Sequence, residues 1–475
     1  MLDLTAQSSA DGRAEPYHAS RLDFLRYTAQ FARDRVETLR RIRRNFGPFV
    51  LCRAPAPFPR LMAFVSGERF NREIFSKTDT WQTYRLYRHY KVGHASERLA
   101  QGLIRLNSGP RQKHYRKLIA PALSRSTVKK ATARMLNTAE AEIVNWPAGE
   151  ATNIWDRVCQ MMQSMAITTL FGNARSSGCP VAEMINEVNQ EMLSLRLLRC
   201  PFNIPGTPYN HMLKRAERLE RDIIDWAEAK RGVTEPTNLL SLLINSVDEQ
   251  GRQPDMNSIV GYLPTLMTGS FESSQSTVFW TLLLLSQHPE IAAKLVDEIE
   301  GFDAHAVDAG AALDKLELLD HVVKEGMRLL PAVPVQARIS KESTSLGGYM
   351  VPRRTYAFLS AIYTNREPEV YADPDAFLPE RWETLKPNEY QYLTFSAGPR
   401  RCPGYWYGMA SVKVALLSIL KRFRVDFTSE IPIDHTVSLV MYPRRSAMAI
   451  LRLQDQSREA SSIRGKVCRL MPMAD

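Results

Sequence analysis

Apolar residues recur at helical spacing over most of this chain, whereas strand-like patterns are short and lie toward its two ends. Helices are predicted where the apolar positions repeat with the period of one helix face, at 128–146, 181–198 and 213–230. Short strands are predicted at 49–52, 61–65, 345–351 and 437–453. The pattern therefore predicts a mainly α fold with small β-sheet portions.

A further helix is predicted over residues 21–45, which are rich in arginine. Its apolar residues recur at steps of three and four and so line one face; they are Leu22, Leu25, Ala29, Ala32, Val36 and Leu39. A basic amphipathic helix can lie on a membrane surface or pack against its own protein. We favour packing against the protein.

The longest apolar-rich stretch, 259–285, predicts a helix of about 40 Å, which is enough to cross a whole domain. The polar run from Thr268 to Thr277 lies at its middle, so the helix cannot span a membrane. Pro264 either kinks this helix or marks its true start.

The 475 residues are 44% hydrophobic and 24% charged, which is the composition of an ordinary soluble globular protein. No linker rich in Gly, Ser or Pro and no fixed-period repeat divides the chain. We therefore expect one domain over 21–453, after a disordered segment at 1–20. A tail at 454–475 follows, and the pattern leaves its order open.

Cysteine usage and the N-terminus predict a cytoplasmic protein without an integral membrane anchor. The six cysteines form no C-x-x-C pair, and their spacing indicates neither a disulfide framework nor a zinc site. This usage fits a reducing cytosol. The N-terminus lacks the basic region and apolar core of a signal peptide, and no run of about 18 apolar residues occurs.

The net charge is +11, from 62 Lys and Arg against 51 Asp and Glu. The basic residues are dispersed, and no nucleic-acid-binding motif accompanies them, so we expect no nucleic acid partner. A docking face for an acidic protein is the better interpretation.

The loop 395–404 places Cys402 among glycines, prolines and arginines, shortly before the apolar stretch 409–420. Gly398 and Gly404 allow backbone turns that other residues disfavour. Two adjacent arginines bring positive charge to the sulfur, which favours the thiolate over the thiol. The amides of a following helix also favour negative charge. A thiolate held in this way is a metal ligand or a nucleophile.

The pattern F-x-x-G-x-R-x-C-x-G, which runs here from Phe395 to Gly404, resembles the haem-binding signature of cytochromes P450. The resemblance implies the cytochrome P450 fold, haem b as cofactor and Cys402 as the axial thiolate of its iron. Thiolate ligation is known to favour O–O cleavage in this family. The implied activity is monooxygenation, in which one atom of O2 enters the substrate and the other leaves as water.

The polar run within 259–285 resembles the distal helix motif of the same family, [AG]-G-x-[DE]-T-[TS]. Gly269 matches its first position, and Ser270 stands where a second glycine is usual. Glu272 matches the acid and Ser273 replaces the usual threonine. The resemblance implies that Glu272 and Ser273 are catalytic and deliver protons to reduced oxygen. A hydrogen bond from the Ser273 hydroxyl to the Gly269 carbonyl is expected to loosen the helix there.

The spacing of Glu325 and Arg328 places both charges on one helix face, where such pairs are usually exposed and weak. Their order before the cysteine loop resembles the E-x-x-R motif of P450s, and the run Pro379-Glu-Arg381-Trp resembles the meander motif. The resemblance implies a buried structural triad of Glu325, Arg328 and Arg381 that supports the backbone around Cys402.

Two haem propionates require cations or hydrogen-bond donors. By position, the resemblance assigns this role to Arg116, Arg338 and Arg400, and to Gln112 where Trp or His is usual. It also assigns the substrate pocket to segments 80–108 and 190–212 and to the apolar residues Met267, Phe271, Ala332, Val333, Val335 and Leu439. An apolar pocket predicts a hydrophobic small molecule of the terpenoid, steroid, polyketide or fatty acyl class, as in secondary metabolism.

The chain has no flavin or ferredoxin module, so the resemblance implies electrons from NAD(P)H through a reductase and a separate ferredoxin or flavodoxin. An acidic partner of this kind is expected to dock on a basic face made of Arg111, Lys113, Lys117, Arg401, Lys413, Lys421 and Arg422. We expect a monomer.

Two other functions remain open at this point. One is a peroxide-driven peroxygenase on the same fold, against which the Glu272–Ser273 pair argues, since such enzymes tend to replace it. The other is a non-catalytic haem-thiolate binding or sensor protein, which needs no proton relay.

Overall fold

The structure is a computed structural model. It describes residues 16–19, 33–52, 61–83, 93–101, 109–172, 202–232, 238–247, 251–304, 307–455 and 459–473, with single residues and short pieces at 26–31, 91, 181–200 and 457.

Helices dominate the described part of the chain. They are α1 (Arg35–Phe46), α2 (Glu68–Ser76), α3 (Ala95–Gln101), α4 (Pro110–Ile119), α5 (Arg125–Ile143), α6 (Ile154–Phe171), α7 (Pro208–Glu228), α8 (Leu239–Ile244), α9 (Met256–Gln287), α10 (Pro289–Glu300), α11 (Ala309–Asp314), α12 (Glu317–Leu329), α13 (Ala361–Thr364) and α14 (Tyr405–Arg422).

The strands are short. They are β1 (Tyr17–Ala19), β2 (Phe49–Cys52), β3 (Met62–Val65), β4 (Trp81–Thr83), β5 (Ala151–Asn153), β6 (Val335–Ser340), β7 (Thr344–Leu346), β8 (Tyr349–Val351), β9 (Tyr356–Ser360), β10 (Phe423–Phe427), β11 (His435–Val437), β12 (Met441–Pro443) and β13 (Met448–Leu453).

The largest sheet joins strands from the first 83 residues to strands from residues 335–360. Its strand order is β1-β2-β3-β9-β6-β4, so the predicted N-terminal strands continue into strands from residues 335–360. β3 runs parallel to β9, with Val65 opposite Leu359. A second sheet has the order β10-β13-β5, and β11 and β12 form a separate hairpin. The fold is thus mainly helical with small sheets, as the sequence predicted.

Helix α9 extends the predicted helix 259–285 at both ends. The Asp255 side chain caps its start by accepting the Ser258 N–H at 2.9 Å. Pro264 lies inside the helix rather than at its start. At the other end Pro289 begins α10, so one helix stops and the next starts within two residues.

The main core forms where α9 packs against α6 and α14, and where α5 packs against α6 and α14. Residues 411–420 of α14 are buried without interruption. This explains the long apolar stretch after the cysteine loop: α14 lies between other helices and has no solvent face there. No helix in the described ranges is both long and apolar enough to cross a bilayer.

The prediction of one continuous helix over 21–45 is wrong at Asp34. That residue is extended (φ −153°), and its side chain accepts the Glu37 N–H at 3.0 Å to cap a new helix, α1. Val36 and Leu39 are buried, as their spacing predicted. Parts of the preceding stretch lie outside the described residues, as does most of the predicted helix 181–198.

Both ends of the chain pack on the protein where they are described. Residues 17–19 fall within the segment predicted to be disordered, yet they pair in parallel with β2, His18 opposite Leu51. Residues 459–473 pack on the protein: Val467 is fully buried, and the Ile433 N–H donates to the Arg464 carbonyl at 2.7 Å. An added Cβ on Gly465 would lie 2.4 Å from the Ile433 carbonyl oxygen, so only glycine fits this contact.

Candidate active site

The cysteine loop is closed by its own backbone and held against α2. The Cys402 N–H donates to the Phe395 carbonyl at 2.8 Å. Gly398 has φ +64°, and an added Cβ would lie 2.8 Å from the Phe75 carbonyl oxygen. This close approach explains why glycine stands there. The loop thereby presents Cys402, which is exposed, immediately before the N-terminus of α14.

Helix α14, which follows the cysteine loop, contacts helix α9. The Ser411 hydroxyl donates to Ser274 Oγ at 3.4 Å, and an added Cβ on Gly408 would lie 3.9 Å from the same oxygen. Ser274 directly follows the predicted catalytic pair. The helix after Cys402 therefore touches α9 within one turn of Glu272 and Ser273.

One face of α9 is open in the middle of an otherwise buried helix. Gly269 is exposed, and an added Cβ would meet nothing within 4 Å. Glu272 and Ser273 follow at i+3 and i+4, are half-buried, and share this face. An acid and a hydroxyl thus border open space, as a proton-delivery site requires.

The hydroxyl-to-carbonyl hydrogen bonds in this stretch come from neighbours of Ser273. Thr268 donates to the Pro264 carbonyl at 2.7 Å, and Thr277 donates to the Ser273 carbonyl at 3.0 Å. Ser270 is buried and donates to the Met267 carbonyl at 2.6 Å. Its side chain therefore turns into the protein, and the serine in place of the usual glycine does not project into the open face.

Two of the predicted pocket residues lie on the opposite side of α9. Met267 and Phe271 are buried in the main core, and the helical period of 100° per residue separates them from Gly269 by roughly half a turn. This placement does not support their predicted role in lining the pocket.

The other predicted wall residues lie in the loop after α12, at the start of β6 and in the β11–β12 hairpin. Ala332 is nearly buried, while Val333, Val335 and Leu439 are half-buried. The Met441 N–H donates to the Ala332 carbonyl at 2.8 Å, which joins these two walls. Much of the predicted wall segments 80–108 and 190–212 lies outside the described residues, chiefly at 84–90, 102–108 and 192–196.

The structure brings Glu325, Arg328 and Arg381 together. Both oxygens of Glu325 accept from Arg328 at 2.9 Å, and Arg381 Nε donates to Oε1 at 3.0 Å. The side chains of Glu325 and Arg328 are fully buried. A buried ion pair is tolerated when its remaining donors and acceptors are satisfied, and this carboxylate is satisfied from all sides.

Sequence reasoning gave no role to several residues that complete this network. Trp382 Nε1 donates to Glu325 Oε2 at 2.9 Å, and the Leu378 N–H donates to Oε1 at 3.0 Å. Arg328 also donates to the Asn365 carbonyl at 3.1 Å, and the Asn365 side chain accepts the Leu393 N–H at 2.9 Å. The position of Trp382 next to Arg381 could have indicated that Trp382 also contacts Glu325. Nothing in the sequence near Asn365 indicated that Asn365 takes part in this network.

Three arginines gather beside the cysteine loop. Burial lowers the pKa of Arg116, and the nearby Cys402 sulfur acts in the opposite direction. Burial and then the charge of Arg400 lower the pKa of Arg338 to about 9. Burial and then the charge of Arg116 lower the pKa of Arg400. Arginine side chains stay charged at neutral pH. Burying three of them side by side costs free energy, which a bound anion would offset.

This arginine cluster fits haem. Arg338 is 6% exposed, donates to the carbonyl of its neighbour Ala337 at 2.9 Å, and lies over the Phe75 ring at 4.8 Å. Two propionate carboxylates beside a thiolate ligand would bring negative charge to these three arginines. Gln112 is buried and donates to the Pro399 carbonyl at 3.3 Å. It therefore braces the cysteine loop with one of its amide hydrogens.

The chain is similar to known proteins over most of its length. The family model for cytochrome P450 matches residues 19–449. A putative cytochrome P450 137 of Mycobacterium tuberculosis is 26% identical over 403 residues, which are 82% of this chain and 80% of that protein. Pentalenene oxygenase of Streptomyces avermitilis is 26% identical over 70% of this chain and 76% of its own length.

The similarity extends to a eukaryotic protein and to a solved structure. Mouse cytochrome P450 4V2 is 34% identical over 212 residues, 42% of this chain and 40% of that protein. The structure of retinoic acid-bound cyanobacterial CYP120A1 superposes with a TM-score of 0.74 at 19% identity, covering 87% of this chain and 93% of that one. At this identity the superposition shows the fold.

Proposed function

The chain belongs to the cytochrome P450 family, and from that membership we propose its substrate class, its electron donors and the residues of its reaction. As a P450 it is a haem-thiolate monooxygenase that binds haem b and uses O2 on a hydrophobic substrate. The open face of α9, which lies within one turn of the contact between Ser274 and the helix that follows Cys402, is the observation that carries the proposed residue roles.

Cys402 would bind the haem iron through its sulfur, and Arg116, Arg338 and Arg400 would hold the propionates. When bound, haem supplies the site for activating O2 with two electrons and two protons. The rigid loop contributes a sulfur whose position is fixed by the Cys402 N–H bond to the Phe395 carbonyl. The loop arginines and the start of α14 favour its thiolate form.

Glu272 and Ser273 deliver protons into the open space beside Gly269. The Glu272 carboxyl holds the proton, and water or the Ser273 Oγ passes it on, because both side chains share the open face. Ser270 leaves this space clear, since its hydroxyl is occupied by the Met267 carbonyl. Because glycine has no side chain, position 269 leaves space beside the helix for O2.

The substrate is a hydrophobic small molecule of the terpenoid, steroid, polyketide or fatty acyl class. Its pocket is walled by Ala332, Val333, Val335 and Leu439, which offer only apolar side chains. A relative bearing the name pentalenene oxygenase supports the terpenoid class among these.

Electrons come from NAD(P)H through a reductase and an acidic ferredoxin or flavodoxin. The predicted docking face is supported at Lys113, Lys117 and Arg401, which are exposed. Lys413 does not belong to it: its side chain is buried and faces Asp320 at 3.5 Å. Arg111 lies on α4, but its side chain is outside the described residues.

The carbon monoxide difference spectrum of the reduced holoenzyme tests the proposal. Wild-type protein should show the red-shifted Soret band of a thiolate ligand, and Cys402→Ala should lose it together with all turnover. Cys159→Ala is the matched control, because burial raises the pKa of that thiol and keeps it protonated. Turnover of a lipophilic substrate with ferredoxin, reductase and NADPH, but not with peroxide alone, separates the monooxygenase from a peroxygenase. A Cys402→Ala protein that keeps the band would refute the ligand assignment.

A further inference from the structure

The β11–β12 hairpin has its turn at 438–440, and both sides of this turn are held by residues to which no motif above gave a role. We propose that Arg35 and Ser276 are positioning residues that set which hydrophobic molecules the enzyme accepts, by holding this turn against the open face of α9. The inference rests on the proposed function, because it concerns the wall of the same pocket.

The first fastening comes from α9 itself. Ser276 Oγ donates to the Met441 carbonyl at 2.5 Å, and Trp280 Nε1 donates to the same oxygen at 3.1 Å. One carbonyl, at the start of β12, thus uses both of its lone pairs on one helix. Ser276 and Trp280 are fully buried, so these bonds form in a site shielded from water.

Helical geometry fixes where this contact lies relative to the chemistry. Gly269, Ser273, Ser276 and Trp280 follow at i, i+4, i+7 and i+11, which is one face of α9. The Ser276 contact is therefore about 10 Å along the helix from Gly269. The hairpin therefore packs on the same face of α9 that opens at Gly269, about two helical turns further along.

The second fastening comes from α1, far away in sequence. An Nη1 hydrogen of Arg35 is donated to the Ser438 carbonyl, at the first residue of the turn. The preceding residue, Asp34, accepts from or pairs with His435 Nε2 at 3.1 Å, at the first residue of β11. Two consecutive residues of the α1 start therefore hold the two ends of β11.

The Arg35 contact is built for orientation more than for overall stability. The Arg35 guanidinium is half-buried and lies 5.9 Å from the Phe31 ring, while Ser438 is exposed. Removing the guanidinium leaves a carbonyl that water can solvate, so little folding free energy is lost. The turn loses its fixed position, however, and with it the position of Leu439, which is half-buried at the tip.

Binding of two azoles to the holoenzyme, followed by the shift of the Soret band, tests the inference. Imidazole reaches the iron without needing the wall, whereas 4-phenylimidazole places a ring against it. Arg35→Met and Ser276→Ala should each weaken 4-phenylimidazole about threefold to tenfold, the range of a single lost hydrogen bond, and leave imidazole unchanged. Arg35→Lys, which keeps a cationic donor, should recover part of the loss.

Matched controls lie on the same two helices. Arg41→Met removes an exposed arginine of α1 that pairs with Glu37 at 2.9 Å. Ser286→Ala removes a hydroxyl of α9 that bonds its own helix at the Leu283 carbonyl, 2.7 Å away. Neither change should alter either azole constant. The double variant Arg35→Met/Ser276→Ala should lose less than the product of the single losses, because both residues hold one turn.

The outcomes separate this inference from the proposed function. A wild-type protein that shows no Soret shift with imidazole would contradict the haem site itself. Normal imidazole binding with an unchanged 4-phenylimidazole constant in both single variants would overturn the positioning role alone. Equal losses for both azoles would also overturn it, since the effect would then act at the iron and not at the wall. The carbon monoxide spectrum of each variant establishes that it has folded and loaded haem.

Discussion

Arg328 holds both carboxylate oxygens of Glu325 at 2.9 Å, and neither side chain is exposed to solvent. Because Arg381 and Trp382 donate to the same two oxygens, the carboxylate joins α12 to the segment that leads to the cysteine loop. Loss of the negative charge therefore leaves buried guanidinium groups without their partner.

Glu325→Gln should lower the free energy of unfolding by roughly 3–5 kcal/mol and reduce haem retention, because it strands Arg328 in the core. Urea unfolding of the holoenzyme, with haem content measured alongside, gives the comparison. Glu317→Gln on the same helix is the control, since Glu317 is exposed in the first turn. A Glu325→Gln protein as stable as the control would show that the buried charge is dispensable.

Ser273→Ala should keep haem binding but divert electrons to peroxide, because the proton path from Glu272 is interrupted. Glu272→Gln should lower the turnover rate by roughly 100-fold, the low end for a general acid. Product and peroxide formed per NAD(P)H consumed are the measurements. Ser274→Ala is the matched control, as that side chain faces α14 and is buried. Equal coupling in the Ser273 and Ser274 variants would remove Ser273 from the proton path.

Arg338→Met should accelerate haem loss by roughly tenfold or more, because a charged hydrogen bond to a propionate is removed. Transfer of haem to an excess of apomyoglobin measures the rate. Arg353→Met, which changes an exposed arginine, should behave like wild type. If both variants lose haem at the wild-type rate, Arg338 does not hold a propionate.

The stability of the protein should fall as the pH drops through the ordinary titration range of histidine. Burial lowers the pKa of His288, while the hydrogen bond with the Leu284 carbonyl at 2.8 Å opposes this shift. The His288 imidazole therefore binds a proton more readily in the unfolded chain than in the folded protein. The contribution of neutral His288 to the free energy of unfolding is complete above about pH 6.5, and it is lost as the pH falls below that value.

His288→Gln should therefore flatten the decline of the urea midpoint between pH 7 and pH 5. His211→Gln, at an exposed position of α7, should leave the decline as it is in wild type. Identical pH profiles for the His288 variant and wild type would rule out this histidine as a source of acid sensitivity.

Reduction by an acidic ferredoxin or flavodoxin should slow by about tenfold when salt is raised or when Lys113 or Lys117 is changed to Glu. The reason is that charge steering across the docking face is screened within about 8 Å at physiological ionic strength. Stopped-flow reduction of the holoenzyme is the measurement. Lys315→Glu, a charge reversal outside the predicted docking face, is the control. Salt-independent reduction would contradict docking on this face.

Local sequence was enough to predict the class of fold, and it supplied the residues of the candidate site. Glycine and cysteine at fixed spacing predicted the loop that presents Cys402, since its turns depend on residues a few positions apart. The spacing of Glu325 and Arg328 predicted that they face each other, because i and i+3 share a helix face. The polar run in α9 interrupted an apolar helix and so marked the open face.

What the sequence could not decide is which side of a helix meets which neighbour. Met267 and Phe271 were expected in the pocket, but the packing of α9 directs them into the core and turns Gly269 outward. Lys413 was expected on the surface, but α14 is covered on all sides there, and the lysine pairs with Asp320.

The sequence by itself determined the predominance of helices, the long helix α9 and the cysteine loop, because each depends on contacts within one or two turns of the chain. Only the tertiary structure decided that Arg35 reaches Ser438 and that Ser276 reaches Met441. Those partners are separated by hundreds of residues, and their contact depends on how α1, α9 and the β11–β12 hairpin pack together. Periodicity identifies the buried face of an element, but not the element that buries it.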